Sequence, residues 1–313
     1  MTTLSRVFQE AAEHGAAAVQ QGLEAAQHGG DGGGPDVGGM LMHHLVDART
    51  LELPFLGAVE LPRWAPIHLG PLTVDLSPTK HVVFLCVAAL IVAILFIGIA
   101  RVTDRKYRDR APSGLANAME AIILYFRDEI VRRNIGHGAD AFTPFILTLF
   151  FFILAMNLLG LVPWGATATG NLSVTCALAI VSLIVIEVSG FLALGPRAYA
   201  KTIFYAPKGM GPVGTALMLV IMTPVELLGK LAKPFALMIR LFANMTAGHT
   251  VILSLIGLIF VFGNLTVGRW GIAAGSVGMS LAMMLLEIFV AFLQAYIFAM
   301  LTSVFIGLIR HAH

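Results

Sequence analysis

Residues 82–100 read VVFLCVAALIVAILFIGIA, with no charge anywhere, and Arg101, Arg105, Lys106, Arg108 and Arg110 follow at once. An α-helix rises about 1.5 Å per residue, so this run extends roughly 28 Å, close to the ~30 Å hydrocarbon core of a bilayer. A run of this length with a basic cluster on one side reads as a transmembrane helix with a cytoplasmic flank. The rest of the chain has the same character. Of its 313 residues 58% are hydrophobic and 12% charged, against about a quarter charged in a soluble domain. So little polar surface cannot keep a chain of this size in water, and lipid is the solvent the composition implies. The net charge of +2 does not mark a nucleic-acid partner, and none is expected. Cys86 and Cys176 lie in separate apolar runs with no CxxC spacing, and read as small buried hydrophobes rather than a disulfide or zinc pair.

Upstream, residues 1–79 are expected to form an extramembrane region and 80–313 the membrane domain. Thr2 to His28 is rich in Ala, Gln and Glu and can form a helix, and the glycine-rich stretch from Gly29 to Pro35 reads as a flexible linker. That stretch lacks the Lys-Ser/Thr ending of a phosphate-binding loop. No basic segment followed by a short apolar one marks a cleavable signal. His43 and His44 have no third ligand nearby, so no metal or cofactor is expected.

Downstream, Leu115 to Arg133 has helical period but two chemically different sides. Leu115, Met119, Ile122, Ile123, Phe126 and Ile130 share one, and Glu120, Arg127, Asp128 and Arg132 the other. Such a helix lies along the cytoplasmic interface. Phe142–Val162 and Leu172–Leu194 are a second and a third span. The loop between them carries no Lys or Arg, whereas Arg197, Lys201 and Lys208 follow the third. The positive-inside bias therefore agrees at two loops, with the N-terminus outside and the C-terminus cytoplasmic.

Two further apolar stretches, Val213–Gly263 and Ile272–Ile309, are too long for upright spans. The second would be roughly 57 Å as a helix and must tilt or project from the bilayer. The first is either one long helix softened near Pro224 and Pro234, or two spans with a turn near Arg240; charge placement favours one helix. The expected fold is thus an all-α integral membrane protein. It has about five transmembrane helices and an interfacial amphipathic helix, the last two spans long and strongly tilted.

Charges inside these stretches carry the functional reading. Arg240 is flanked by Ile239 and Leu241 in an apolar run. An arginine at mid-bilayer costs at least ~2.5 kcal/mol and does not escape by deprotonating. It needs a carboxylate partner or a wet cleft. At about 100° per residue Asn244 shares its face, with Lys233 and Ala236 near it, while His249 lies on the opposite one. In the last stretch Glu287 and Gln294, seven residues apart, share a stripe. A carboxyl kept out of water can hold a proton near neutral pH, which suits proton exchange. Glu187 is a lone acid in the third span, and the methionines read as packing.

The run Arg240-Leu241-Phe242-Ala243-Asn244-Met245 preceded by Lys233-Pro234 resembles subunit a, the membrane stator subunit of F-type ATP synthases. Glu287 with Leu293-Gln294-Ala295-Tyr296-Ile297-Phe298 supports the resemblance. So do Met156-Asn157-Leu158-Leu159-Gly160-Leu161-Val162-Pro163 and Phe126-Arg127-Asp128-Glu129-Ile130. It extends from about Pro78 to the C-terminus. The resemblance implies two long tilted helices against a rotating ring of small hairpin subunits (subunit c), each with a membrane carboxylate. It also implies two aqueous half-channels separated by Arg240, a peripheral-stalk subunit b, the rest of the ATP synthase, and a bacterial inner membrane. It implies no catalytic site in this chain. Arg240, Asn244, His249, Glu287 and Gln294 are then the proton-translocation residues, and Glu226, Glu187 and Asn157 candidates for lining the half-channels. Many members have serine four residues before the arginine, where this chain has Ala236. The segment before Val37 matches no part of the family. A proton- or sodium-coupled secondary transporter is the competing reading. It would show internal repeats and paired broken helices, and no matching halves are present. The chain has no His-Glu-x-x-His, and no Gly-x-Ser-x-Gly falls in a span, as an intramembrane enzyme of those classes would need.

Overall fold

The computed structural model describes residues 50–53, 57–62, 67–69, 72–74, 77–106, 113–162, 168–204, 212–261 and 269–311. The helix and linker expected before Pro35, and the two adjacent histidines, lie outside them. Among the described residues two short antiparallel hairpins come first: β1 (Thr50–Leu53) with β2 (Gly57–Glu60), and β3 (Ile67–Leu69) with β4 (Leu72–Val74). The described elements that follow are helical. The chain divides into two compact units, one of Arg49–Met245 with Ile288–His313, the other containing Thr246–Glu287.

The helices are α1 (Lys80–Lys106), α2 (Leu115–Tyr125), α3 (Thr143–Gly160), α4 (Leu172–Ile203), α5 (Pro212–Val261) and α6 (Arg269–Arg310). Five are long and apolar enough to cross a membrane, and α2 is not among them. Each of the five coincides with an apolar run read from the sequence. Only α3 is substantially enclosed by its neighbours, with 50% of its apolar window buried against 11% for α1. So α1 presents most of its aliphatic surface outward, as a helix in lipid can. Cys86 belongs to that outward surface, which corrects its reading as a buried residue.

The core of the larger unit forms around α3. Ile146, Phe150, Ile153 and Met156 are buried, and the Phe150 ring stands 4.5 Å from Phe126 and 5.6 Å from Phe292. Phe126 begins a π-helical segment, Phe126–Arg132, which carries α2 on to Ile135. Met119, Phe126 and Ile130 are buried as the sequence pattern requires. Leu115, expected on that side, is 67% exposed, because it opens the helix before its first turn meets the core. The Ile130 carbonyl accepts from the Asn134 amide (2.8 Å) and from the Ser303 hydroxyl of α6 (3.2 Å), which ties α6 to this segment. On its polar side Arg132 donates from two nitrogens to Asp140 (2.8 and 2.9 Å) and from a third to Asp128 (2.8 Å). The Asp140 hydrogen bond is the main cause that raises the Arg132 guanidinium above its ordinary value.

Helix α4 runs straight to Leu194 and then breaks. Gly195 has φ 75° and ψ 165°, and Pro196 follows; the left-handed φ is open to glycine and strained for other residues. The apolar run expected as the third span ends at Leu194, one residue before the kink, while the helix continues to Ile203. Helix α5 settles the alternatives for the stretch around Arg240, since no turn interrupts it. Its 50 residues extend roughly 75 Å and the 42 of α6 roughly 63 Å. Both exceed the ~30 Å core at least twofold.

Near its C-terminus α6 approaches other helices through glycine-mediated contacts. A Cβ on Gly190 would meet Ile309 at 2.7 Å, and one on Gly307 would fall on the backbone carbonyl of Asn134. A carbonyl cannot swing aside as a side chain can. Gly307→Ala is therefore expected to cost about 1–3 kcal/mol, the usual effect of overpacking. It should lower the thermal stability of the chain in its complex, while Gly98→Ala, where nothing lies within 4 Å, should leave it unchanged.

Candidate functional site

Arg240 sits near the middle of α5, with 28 residues before it and 21 after within the helix. Leu237, Leu241 and Met245 are buried, so one flank of the helix packs inward. Ala236, Arg240 and Ala243 are exposed on the other. Alanine on either side leaves the guanidinium open to approach. Among the described residues Arg240 forms no ion pair, and Asn244, one turn on, is half-buried. A permanent cation in an apolar helix is costly unless it is paired or reached by water.

In the smaller unit, His249 and Glu287 meet. Nδ1 of His249 is 3.4 Å from Oε1 of Glu287, with the histidine side chain 21% and the carboxyl 5% exposed. Neither carboxyl oxygen has a hydrogen-bond partner among the described residues. A buried polar group without a hydrogen-bond partner is rare, and this carboxyl stands out as a candidate for chemistry on that ground. Gly248 makes the approach: a Cβ there would lie 2.6 Å from Oε1 of Glu287. Glycine at this position has no signal in the local sequence, since the contact comes from a helix about forty residues away.

Gln294 is buried, and its amide nitrogen has no partner among the described residues. Asn157 is fully buried as well, but its amide is satisfied at both ends. It donates to the Ala291 carbonyl (3.3 Å) and accepts from the Thr169 hydroxyl (2.9 Å).

Glu187 is not the lone acid that the sequence suggested. Its carboxylate accepts from the Tyr199 hydroxyl and pairs with Nζ of Lys230 at 3.1 Å. Glu187 and Lys230 line a cavity of about 100 Å³ together with Glu226 and Lys233. Lys230 and Tyr199 were missed. The rule that singles out Arg240, a cation within a largely apolar stretch, applies to Lys230 too, four residues after Glu226.

The family described as ATP synthase A chain matches residues 82–307, nearly the whole helical part. ATP synthase subunit a of Chloroherpeton thalassium is 45% identical over 267 residues, covering 85% of this chain and 75% of that protein. ATP synthase subunit a 2 of Chlorobaculum tepidum is 40% identical over 308 residues, covering 98% and 80%. The subunit a of Anaeromyxobacter dehalogenans is 42% identical over 314 residues, covering 94% and 78%. With five membrane-capable helices and identities of this extent, the chain is a multi-pass membrane protein that belongs to the ATP synthase A chain family.

Proposed function

We infer that this chain is the proton-translocating stator subunit of a rotary F-type ATP synthase, and that Arg240 separates two aqueous half-channels leading to a ring of carboxylate-bearing subunits. The observation that carries the reading is Arg240 itself: exposed in an uninterrupted helix, between alanines, with no acid of its own chain paired to it among the described residues.

The physics follows from the cost of charge in lipid. A ring carboxylate must be protonated while it faces acyl chains. Opposite Arg240 an adjacent cation within ~4–6 Å favours its ionised form, so it releases its proton there and takes another after passing. The same fixed cation repels a proton that would cross directly between the half-channels. Each proton moved through the potential supplies ~2.3 kcal/mol per 100 mV, and offset entry and exit turn this into rotation. Asn244 hydrogen-bonds beside Arg240, and Gln294 serves the same region from α6. His249 and Glu287 relay protons in one half-channel. Glu226 lines the cytoplasmic one, with Glu187 beside it. Asn157, with its amide satisfied at both ends, acts as a tie between helices more than as a channel wall.

ATP chemistry resides on other subunits, with a subunit b stalk holding this chain against the ring. Residues 1–79 form an extramembrane region outside a bacterial inner membrane, and 80–313 the membrane domain with its C-terminus in the cytoplasm. Purification of the chain from membranes in mild detergent tests the reading. A stable ring of small hairpin proteins should accompany it; a lone chain that binds a solute would favour the secondary transporter.

A further inference from the structure

The break in α4 brings distant groups together. In an unbroken helix, residues twelve apart stand about 18 Å apart along the axis. Yet the Tyr199 hydroxyl donates to Glu187, twelve residues earlier, and its ring meets Phe191 edge-on at 5.7 Å. The segment after Gly195 therefore folds back along the helix it came from. From α5, Lys230 completes the cluster, with Nζ 3.1 Å from the same carboxylate oxygen and 4.7 Å from the centre of the Tyr199 ring. The Lys230 and Glu187 side chains are only 12% and 24% exposed.

Every charged group on this cavity comes from α4 or α5. The first supplies Glu187, with Tyr199 bonded to it; the second supplies Glu226, Lys230 and Lys233. Helix α6 contributes apolar side chains, of which Phe305 lies under Nζ of Lys233 at 5.1 Å. Glu226 and Lys230 are four apart on one helix, in the order that favours a surface ion pair. Lys230 instead turns to Glu187, and Glu226 forms no ion pair among the described residues. The two acids of one cavity thus have opposite surroundings.

We propose that Lys230 is a positioning residue of the cytoplasmic proton path: by pairing with Glu187 it holds that carboxylate fixed in an ion pair, and leaves Glu226 as the acid that exchanges protons in the cavity. Glu226 takes a proton from hydronium, releases water, and passes the proton on. Glu187, held by an ammonium and a phenol, does not compete for it. The proposal rests on the placement of Glu226 in that half-channel.

A hydrophobic carbodiimide tests it, since the reagent couples to protonated carboxyl groups and leaves carboxylates alone. The whole complex in membrane vesicles would be labelled near neutral pH, and peptides of this chain read by mass spectrometry. Glu226 should be modified about tenfold more than Glu187. Lys230→Met should raise Glu187 labelling by about tenfold and change the pH profile of ATP-driven pumping. Lys230→Met combined with Glu187→Gln removes both charges and should return the profile toward wild type. Equal labelling of the two acids in the wild type, or labelling and profile unchanged in Lys230→Met, would overturn the proposal. Should Lys230→Met fail to assemble, the wild-type labelling ratio still decides. Glu226→Gln tests the underlying placement separately: pumping at the wild-type rate and pH profile would remove Glu226 from the path whatever the labelling of Glu187.

Discussion

Arg240→Ala is expected to reduce ATP-driven proton pumping in reconstituted vesicles to background while the complex still assembles. Both halves of that outcome come from the surroundings of the residue. Arg240 is exposed and forms no ion pair among the described residues, so its removal leaves no buried carboxylate of the chain unpaired. Alanine is the strongest helix former, and exposed substitutions of this kind stay within about ±0.5 kcal/mol. Loss of function therefore has no route through misfolding. What disappears, on the proposed function, is the fixed charge that would draw a proton off a passing acid and repel protons between the half-channels. Two measurements check it: quenching of a pH-sensitive dye on ATP addition, and passive proton leak under an imposed potential. The first should vanish and the second should rise. Full coupled pumping in this variant would falsify the rotary reading.

Glu287→Gln should leave the fold intact and slow pumping by about tenfold or more, the lower range for loss of a proton-transfer group. Glutamine has nearly the shape of the acid, which matters at a position 5% exposed, but it binds no exchangeable proton in this range. His249→Ala should slow pumping too, because it removes the imidazole at 3.4 Å from the Glu287 carboxyl. Both variants should show a displaced pH profile of pumping, and the double variant should be little worse than either alone, since residues that act as a unit are not additive. Unchanged profiles in both single variants would take the pair out of the relay.

Much of this was legible from the sequence, for reasons particular residues make plain. The spans announce themselves because an apolar helix in lipid tolerates few charges, so the apolar runs within α1, α3 and α4 give way to Arg101, Pro163 and Arg197. The break at Gly195-Pro196 carries a Gly-Pro turn signal that went unread. Arg240 stood out for the same reason the spans did. The ambiguity around it arose from Pro224 and Pro234, which remove N–H donors without ending α5 because neighbouring structure absorbs the defect. Contacts between distant elements were not legible. Lys230 lies 43 residues from Glu187, and Asn157 lies 134 from Ala291. No periodicity encodes either pairing. Gly248 and Gly307 belong to the same class, since their need for a missing Cβ is set by Glu287 and Asn134 on other segments.

The π-helical stretch at Phe126–Arg132 has a genetic consequence. A π turn holds one more residue than an α turn over the same path. Loss of one codon within it would let the backbone relax to ordinary α geometry instead of tearing the helix. The α turn would then cover the path the π turn covered, so the residues N-terminal to it would keep their facing, and Ala116 and Met119, now buried, would stay in their seats. Loss of a codon from a regular α stretch would instead turn everything on one side of it by about 100°. This segment can absorb an in-frame loss that the unbroken turns of α3 could not.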